Sequence, residues 1–236
     1  RDYKKSGDEV KGIYLTAGAV SRKTPQKIIK LLKENGLNAV VIDVKNAAGT
    51  VTFNSFTRKA HGIGAVKPIL SLEEVVGEFE SAGIYTNDRQ VIFKDQKFSR
   101  YLESSDIWVS PRNEKVVEYN LEIAQEVAGM GFDEIQFDYV RFPDKGGIGS
   151  NYSDRSDVIE EFVSEANRRI TDSINFSIDV YGRTLWEWNS KDKDPIGQNL
   201  EKLQDHVDYL SPMIYPSHYS SEKLIYDPNE CVYQSI

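Results

Sequence analysis

The strongest constraint on the fold of this 236-residue chain is a repeated alternation of short apolar segments with stretches of helical periodicity. Near-continuous apolar runs are typical of parallel strands that are covered on both faces, and parallel neighbours need a crossover, which is usually a helix. The alternation therefore predicts an α/β fold with a parallel sheet that is closed or doubly wound. Six strands are predicted, at Gly12–Thr16, Asn38–Val44, within Ile84–Phe93, and at Asp133–Tyr139, Asn175–Tyr181 and Val207–Tyr215.

Several of the intervening helices carry end signals in the sequence. Thr24 and Pro25 predict a helix start, with Thr as the N-cap and Pro at the first helical position, and Asn35-Gly36 predicts its end. Ser71 and Glu74 have the spacing of a capping box. Further helices are predicted at about Asn113–Ala128, Ser153–Thr171 and Pro195–Gln204.

Two stretches stand outside this pattern. Residues 1–10 are polar and are predicted to be a leader that precedes a single domain at residues 11–236. The connection from Lys45 to Leu70 has no clear periodicity, and its VTFNSF segment predicts a short hairpin. Connections of this length without regular structure are usually functional or disordered.

Two observations favour a barrel over a doubly wound sheet. No GxGxxG or GxxxxGK[ST] sequence follows the first strand, so the nucleotide-binding alternative lacks its phosphate-binding loop. Charged residues also recur where several predicted strands end, which is where barrel enzymes place catalytic groups. We therefore predict a TIM-type (β/α)8 barrel that is incomplete, with about six β/α units. The strand-end residues are Asp43, Arg89, Asp138 and Asp179.

The composition argues against nucleic acid, membranes and metal ions as binding partners. The net charge is −8 and no basic cluster is present, whereas binding to a phosphate backbone or an anionic membrane surface needs concentrated Lys and Arg. No apolar run approaches the roughly 20 residues that span a bilayer. One cysteine and three histidines without zinc-ligand spacing predict neither a metal site nor a cofactor. The oligomeric state is left open.

The fourth predicted strand carries the most informative candidate. Strand alternation places Glu134, Gln136 and Asp138 on one face, and only Asp138 would reach the open mouth of a barrel. Arg141 follows closely enough to hold a carboxylate ionised or to bind a substrate oxygen. The alternative that Asp138 caps the next loop, while Arg141 pairs with a surface acid, stays equally open at this point.

Asp43 and Asp179 occupy equivalent positions at the ends of the second and fifth strands. A single strand-end aspartate is commonly a cap or a turn residue, but three at successive units are harder to explain in that way. Carboxyl groups that are brought together raise one another's pKa. Cleavage of a glycosidic bond uses that situation, because one carboxyl acts as acid while the other acts as nucleophile or base.

Other candidates would contact a substrate around these acids. We predict substrate-binding roles for Lys45, Arg89, Tyr139, Arg141, Trp186, Tyr215 and His218. His218 would serve as a proton shuttle or, more simply, as an orienting residue. Trp186 would stack on a sugar face or cover the edge of the core, and these two alternatives are weighed equally.

The segments GIYLTAG, NAVVIDVKNAAG, GFDEIQFDYVRFP, FSIDVYG, IGQNLEKL and VDYLSPMIYPSHY occur in this order. Together they resemble a bacterial family known as the "putative glycosyl hydrolase domain", which is distantly similar to alpha-amylase-type barrels. The resemblance implies a glycosidase barrel that is exported or attached to the cell envelope. It also implies that Asp138 is the nucleophile on the fourth strand.

The chain departs from the pattern of that family at three places. Amylase-type barrels carry a Glu as the acid on the fifth strand, whereas Asp179 stands at the matching position. The third strand is interrupted by Asn87 and Asp88 before Arg89. The family continues past the PSHY motif into two further barrel units, which this sequence does not contain.

Three hypotheses follow for the function. The first is a glycoside hydrolase that acts on a bacterial poly- or oligosaccharide, with Asp138 as nucleophile or base, Asp179 as acid, and Asp43 and Lys45 orienting the sugar. The second is a non-catalytic carbohydrate-binding or envelope protein on a hydrolase-like barrel. The third, a metal-dependent hydrolase, ranks last because histidines are sparse near the strand ends.

Overall fold

Six parallel strands form one sheet in which the order of the strands follows the order of the sequence. A computed structural model describes residues 10–144, 153–170, 173–185 and 194–215. The sheet curls into a half-barrel with helices between its strands, so the predicted TIM-type arrangement of six β/α units is confirmed. The strands are β1 (Gly12–Leu15), β2 (Ala39–Lys45), β3 (Tyr85–Val91), β4 (Glu134–Asp138), β5 (Asn175–Tyr181) and β6 (Tyr209–Met213).

Eight α-helices are present in the described residues. Their apolar sides pack on the outer face of the sheet, as expected for crossovers between parallel strands. The same parts of the chain contain two short 3₁₀ turns, at Gly182–Leu185 and Gln204–His206. The helices are α1 (Ala17–Lys23), α2 (Pro25–Glu34), α3 (Arg58–Gly62), α4 (Leu72–Ser81), α5 (Gln96–Tyr101), α6 (Glu114–Ala128), α7 (Arg155–Arg169) and α8 (Leu200–Leu203).

The two faces of the sheet differ in chemistry because side chains alternate along each strand. The outer face of β4 carries Ile135 and Phe137, both fully buried under the helices. The ring of Phe137 lies 5.0 Å from that of Phe176 in β5 and 5.9 Å from that of Phe162 in α7. This outer layer is the hydrophobic core, whereas the inner face of the half-barrel is largely polar.

The long connection after β2 has a different local structure from the predicted hairpin. The VTFNSF segment does not form a hairpin; instead Val51 makes isolated bridges to Lys45 and Val66, and α3 follows. The carboxylate of Glu126 in α6 accepts hydrogen bonds from the Ser55 hydroxyl at 2.6 Å and the Phe56 amide at 2.7 Å. A side chain of another element thus satisfies this backbone in place of a partner strand.

The predicted helix over Pro195–Gln204 is also too long. Only Leu200–Leu203 is α-helical, since Gly197 has a φ of 80° and the residues before Asn199 form a loop. The Gln198 amide group donates to the backbone carbonyls of Val140 and Asp179, which ties this loop to the ends of β4 and β5. Hydrogen bonds to neighbouring elements therefore replace the first helical turns.

Two predicted caps lie at the right positions but lack the expected side-chain bond. Thr24 precedes α2 and Ser71 precedes α4, yet neither side chain accepts a hydrogen bond from the first turn. Two short helices that were not predicted, α1 and α5, do carry such caps, from Thr16 and Asp95 respectively. Of the predicted leader, residues 1–9 lie outside the described residues, and the division at residue 10 stays a prediction.

Candidate active site

The polar inner face opens into a hollow of about 550 Å³ at the carboxyl ends of the strands. This is the end of the barrel at which the charged strand-end residues were predicted to meet. Asp138, Asp179 and Arg89 line it together. The other lining residues are Tyr14, Val41, Gln136, Ser211, Pro212, Met213, Ile214 and Tyr215.

Arg89 joins two of the predicted acids into one charged group. Its Nη1 donates to Asp43 Oδ1 at 2.7 Å, while Nε and Nη2 donate to Asp138 Oδ2 at 3.0 and 2.5 Å. Burial alone would lower the pKa of Arg89, but the charges of Asp138 and Asp43 outweigh it and raise that pKa above its ordinary value. The guanidinium therefore stays charged and fixes two carboxylates from strands on either side of β3.

Asp43 is held from its other side by Tyr14. The Tyr14 hydroxyl donates to Asp43 Oδ2 at 2.5 Å, and the Tyr14 ring lies 5.4 Å from the Arg89 guanidinium. Burial and the bond to Asp43 raise the pKa of Tyr14, so its hydroxyl remains a donor. Both oxygens of Asp43 thus accept strong hydrogen bonds, which suits an orienting role.

Asp138 ends β4 in a tightly determined position. Its Oδ1 accepts the backbone N–H of Tyr139 at 2.6 Å, and its carbonyl accepts the N–H of Ile92 at 2.9 Å. Tyr139 has a φ of 57°, in the left-handed region that bulky residues rarely adopt. The turn of the chain directly after Asp138 therefore aims the carboxylate into the hollow.

Asp179 stands beside Asp138 in the register of the sheet. Phe137 and Ile178 are paired across β4 and β5, and Asp138 and Asp179 are the next residues of the two strands. Burial, and then the charge of Asp138, raise the pKa of Asp179 well above its ordinary value. Among the described residues no hydrogen bond to its carboxyl group is found. The geometry thus pairs a carboxylate held by arginine with a neighbouring carboxyl that favours its protonated form.

A closed polar network forms the floor beneath these residues. Glu134 accepts hydrogen bonds from the Tyr85 hydroxyl at 2.8 Å, the Asn87 amide at 2.9 Å and the Ser177 hydroxyl at 2.5 Å. Burial raises the pKa of Glu134. The donors that surround it explain how this carboxyl is accommodated inside the barrel. Glu134 is not among the residues that line the hollow, and it supports them from below.

The structure places Lys45 outside the site, which corrects the expectation that it orients a sugar. β2 contains one extra residue between Asp43 and Lys45 relative to β3, so Lys45 turns to the outer face. It is fully buried there, with Nζ 2.8 Å from Asp95 Oδ2 and 3.1 Å from Asn120 Oδ1. A side chain enclosed in this way has no access to a substrate.

Arg141 likewise does not support the carboxylates. It is 5% exposed, and its guanidinium lies 4.6 Å from the Trp108 ring and 4.3 Å from the Tyr181 ring. Its Nη2 donates to the Tyr181 hydroxyl at 2.9 Å, and its Nη1 donates to the Phe142 carbonyl. The expected contact with a substrate is therefore replaced by a stacked position between aromatic rings.

The remaining predicted residues divide into three groups. Tyr215 lines the hollow and is 53% exposed, and Tyr139 lies at the rim beside Trp108. Trp186 and His218 lie outside the described residues, so their proposed roles stay predictions. Tyr14, Gln136 and Ser211 also line the hollow. Alternation placed Gln136 on the inner face, whereas Tyr14 and Ser211 lie within the segments GIYLTAG and VDYLSPMIYPSHY without a predicted role.

Two further observations concern ligands and membranes. Within residues 10–144, 153–170, 173–185 and 194–215, no group of three or more His, Cys, Asp or Glu side chains is arranged to hold a metal ion. In the same parts of the chain no helix is both long enough and apolar enough to cross a bilayer.

Comparison with known proteins agrees with this architecture. The crystal structure of a hypothetical protein from Ruminiclostridium thermocellum superposes with a TM-score of 0.63 at 29% identity, over 71% of this chain and 97% of that one. The spore cortex-lytic enzyme SleL of Bacillus cereus has a TM-score of 0.54 at 12% identity, over 87% of this chain and 41% of that one. A chitinase from Bacteroides thetaiotaomicron has a TM-score of 0.53 at 13% identity, over 99% of this chain and 64% of the chitinase chain.

The two enzymes show a shared fold alone, and this chain spans less than two thirds of the length of either. No curated protein matches the chain. The profile of the family described as "Putative glycosyl hydrolase domain" matches residues 12–236, which is almost the whole sequence. The chain therefore belongs to the putative glycosyl hydrolase domain family.

Proposed function

We propose that this protein hydrolyses a glycosidic bond of a bacterial poly- or oligosaccharide in the hollow at the carboxyl ends of its strands. The observation that carries the proposal is the pairing of Asp138, which is bound by Arg89, with Asp179, whose pKa is raised. Cleavage of such a bond requires one carboxyl that donates a proton and another that acts as a carboxylate. Membership of the family and the fold shared with a chitinase support the same reaction class.

The roles of the two acids follow from their environments. Protonated Asp179 gives its proton to the glycosidic oxygen as the bond to the anomeric carbon breaks. Asp138 either attacks that carbon or removes a proton from a water that attacks it. If Asp138 forms an ester, it loses the charge that raises the pKa of Asp179, and Asp179 is then able to act as a base for the second step.

The other lining residues would bind and orient the sugar. Arg89 and Tyr14 hold the carboxylate of Asp43 in a fixed position next to Asp138. Its oxygens would accept hydrogen bonds from sugar hydroxyls. Tyr14 and Tyr215 are 51% and 53% exposed, and exposed aromatic residues are suited to contact with the apolar face of a sugar. We include Tyr139 among the substrate-binding residues because it directly follows Asp138.

Replacement of each acid tests this proposal. We expect Asp138→Asn and Asp179→Asn each to lower the release of reducing sugar from a bacterial polysaccharide by about 100-fold or more. Asp157→Asn is a matched control, because Asp157 is a surface acid of α7 that pairs with Lys202. Analysis of the product anomer by NMR then separates retention from inversion. Full turnover by Asp138→Asn would rule out the assignment.

A second candidate function, non-catalytic carbohydrate binding, is favoured by one observation. Both oxygens of Asp138 already accept hydrogen bonds, from Arg89 and from the Tyr139 amide, which lowers the nucleophilicity of the carboxylate. This candidate predicts that the protein binds oligosaccharides without releasing product, and that Asp138→Asn binds as tightly as the wild type.

The location outside the cell or at the cell envelope also belongs to the proposal. It is implied by the family resemblance, and the fold is shared with an enzyme whose described activity is lysis of the spore cortex. Detection of the native protein by antibody in the medium and in envelope fractions tests it, and recovery in the cytosol alone would contradict it.

A further inference from the structure

Three side chains contact one another in series just after the ends of β3 and β4, next to the residues that line the hollow. We call Lys94, Trp108 and Tyr139 the rim shelf. Tyr139 is the residue after Asp138, and Lys94 follows β3 by three residues. Trp108 comes from the segment between α5 and α6, which returns to pair with Lys94 through an isolated antiparallel bridge. The rim shelf is therefore built beside the proposed catalytic carboxylate.

The contacts within the rim shelf are those of a cation on aromatic rings. Lys94 Nζ lies 4.8 Å from the centre of the Tyr139 ring, and the rings of Tyr139 and Trp108 meet edge to face at 5.6 Å. The guanidinium of Arg141 supports both rings, at 5.4 Å from Tyr139 and 4.6 Å from Trp108. Arg141 is buried, so Lys94 is the accessible cation of this group.

Lys94 differs from the other basic residues near the rim in having no acidic partner among the described residues. Arg89 is paired with Asp43 and Asp138, and Arg183 is paired with Asp144 and Asp194. The half-buried ammonium of Lys94 is held over the Tyr139 ring, with its hydrogen-bond donors uncommitted to any described carboxylate. Such a group is suited to bind an anion that arrives with a ligand.

Tyr139 supplies an independent observation. Its φ of 57° is strained for a residue with an aromatic side chain. Residues in this conformation cluster where the direction of a side chain serves binding or catalysis. Here the strained backbone turns the Tyr139 ring toward Lys94 and Trp108, at the residue next to Asp138. The Tyr139 ring is thus fixed one residue away from the proposed catalytic carboxylate.

We propose that the rim shelf binds an acidic glycosyl unit, whose carboxylate or sulfate contacts Lys94 and whose ring lies against Tyr139 and Trp108. This inference rests on the proposed function, and it specifies that the glycan is anionic. The bound unit would be a neighbour of the one whose glycosidic bond meets Asp138 and Asp179. Because the formal net charge of the protein is −8, an anionic unit would depend on a local cation such as Lys94 for its binding.

Binding to immobilised oligosaccharides tests the inference. The array carries neutral, uronate-containing and sulfated oligosaccharides of matched length, and the wild-type chain is compared with Lys94→Gln. We expect preferential binding of acidic glycans by the wild type, and about tenfold weaker binding of those glycans by Lys94→Gln. Binding of neutral glycans should not change. The uronate and sulfate arms distinguish the two kinds of anion.

Two further variants control the experiment. Lys59→Gln removes a lysine that lies over the Tyr101 ring at 4.7 Å, a nearly identical contact elsewhere on the molecule, and should bind like the wild type. Lys94→Arg keeps the charge and should restore binding of acidic glycans. Wild-type binding that is as tight for neutral glycans as for acidic ones, or an equal loss of both classes in Lys94→Gln, would overturn the inference but leave the proposed function intact. Binding of no glycan by the wild type would overturn both.

Discussion

At the scale of single residues, the site depends on how Asp138 changes the proton affinity of Asp179. The two residues are adjacent in the register of β4 and β5, and burial is the larger cause of the raised pKa of Asp179. The charge of Asp138 adds to it, while Arg89 opposes it. The protonation of Asp179 therefore depends on the charges of Asp138 and Arg89.

This coupling gives a prediction that needs no substrate. Asp138→Asn removes a negative charge next to Asp179, so we expect the pKa of Asp179 to fall in that variant while staying above its ordinary value because burial remains. A titration of the side-chain carboxyl carbons by NMR measures it. Asp157→Asn should leave the Asp179 titration unchanged, and an unaltered Asp179 pKa in Asp138→Asn would contradict the described arrangement.

The candidate residues were only partly predictable from the sequence. Strand-end position identified Asp43, Arg89, Asp138 and Asp179, because the carboxyl ends of parallel strands meet at one edge. Lys45 was misplaced because alternation assumes an unbroken strand, and the extra residue of β2 has no sequence signal. The partners of Arg141 are aromatic rings from distant segments, which spacing along the chain does not bring together.

At the scale of elements, a buried ion pair joins β2 to the helices behind it. Lys45 and Asp95 are 0% and 1% exposed at their side chains, and Asp95 also accepts the Phe98 amide at the start of α5. Lys45 Nζ donates to the Val91 carbonyl at 2.7 Å, at the end of β3. Burial lowers the pKa of Lys45, and Asp95 acts against that change. The pair therefore connects strand ends that carry the site.

Breaking this pair from one side should be costly. Lys45→Met leaves the Asp95 carboxylate buried without its cation, and we expect a loss of about 3–5 kcal/mol in the free energy of unfolding. The double variant Lys45→Met/Asp95→Asn should recover part of that loss, because no unpaired charge remains. Urea unfolding of the two single variants and the double variant forms a mutant cycle that measures the coupling. Additive effects would show that the two groups do not interact.

Elements of ordinary length were predictable, and the exceptions have physical causes. All six strands and the long helices α2, α4, α6 and α7 follow from apolar patterns. The helices α1, α3 and α5 have five to seven residues, too few to show a helical period. The helix expected from Pro195 is broken at Gly197, where an added Cβ would lie 2.8 Å from the Arg155 carbonyl.

At the scale of the whole molecule, three buried carboxyl groups contribute in the same direction to the dependence of stability on pH. Burial raises the pKa of Asp88, Glu134 and Asp179 above the ordinary values of 3.8, 4.5 and 3.8. Each group binds its proton more tightly in the folded chain than in the unfolded one. Its contribution is therefore fully present below its ordinary pKa and is lost as the pH rises through its folded pKa.

We accordingly expect the free energy of unfolding to fall from about pH 4 toward neutral pH. Asp88→Asn should flatten part of this fall, since Asp88 is fully buried and one of its oxygens has no hydrogen-bond partner among the described residues. Its other oxygen accepts the backbone N–H of Gln136 at 3.3 Å, a bond that the side-chain oxygen of asparagine is able to keep. Urea unfolding of both proteins across this range is the measurement. A stability that increases with pH in the wild type would refute the prediction.

The extra residue in β2 means that Asp43 and Lys45, two positions apart, face opposite sides of the sheet. In a strand of unbroken alternation, residues two positions apart share one face, and the Lys45 ammonium group would stand in the hollow beside Asp43. Asp95, which caps α5, would then be buried without its counter-ion. The single extra residue thus keeps a cation out of the hollow and supplies it to a buried acid on the other face.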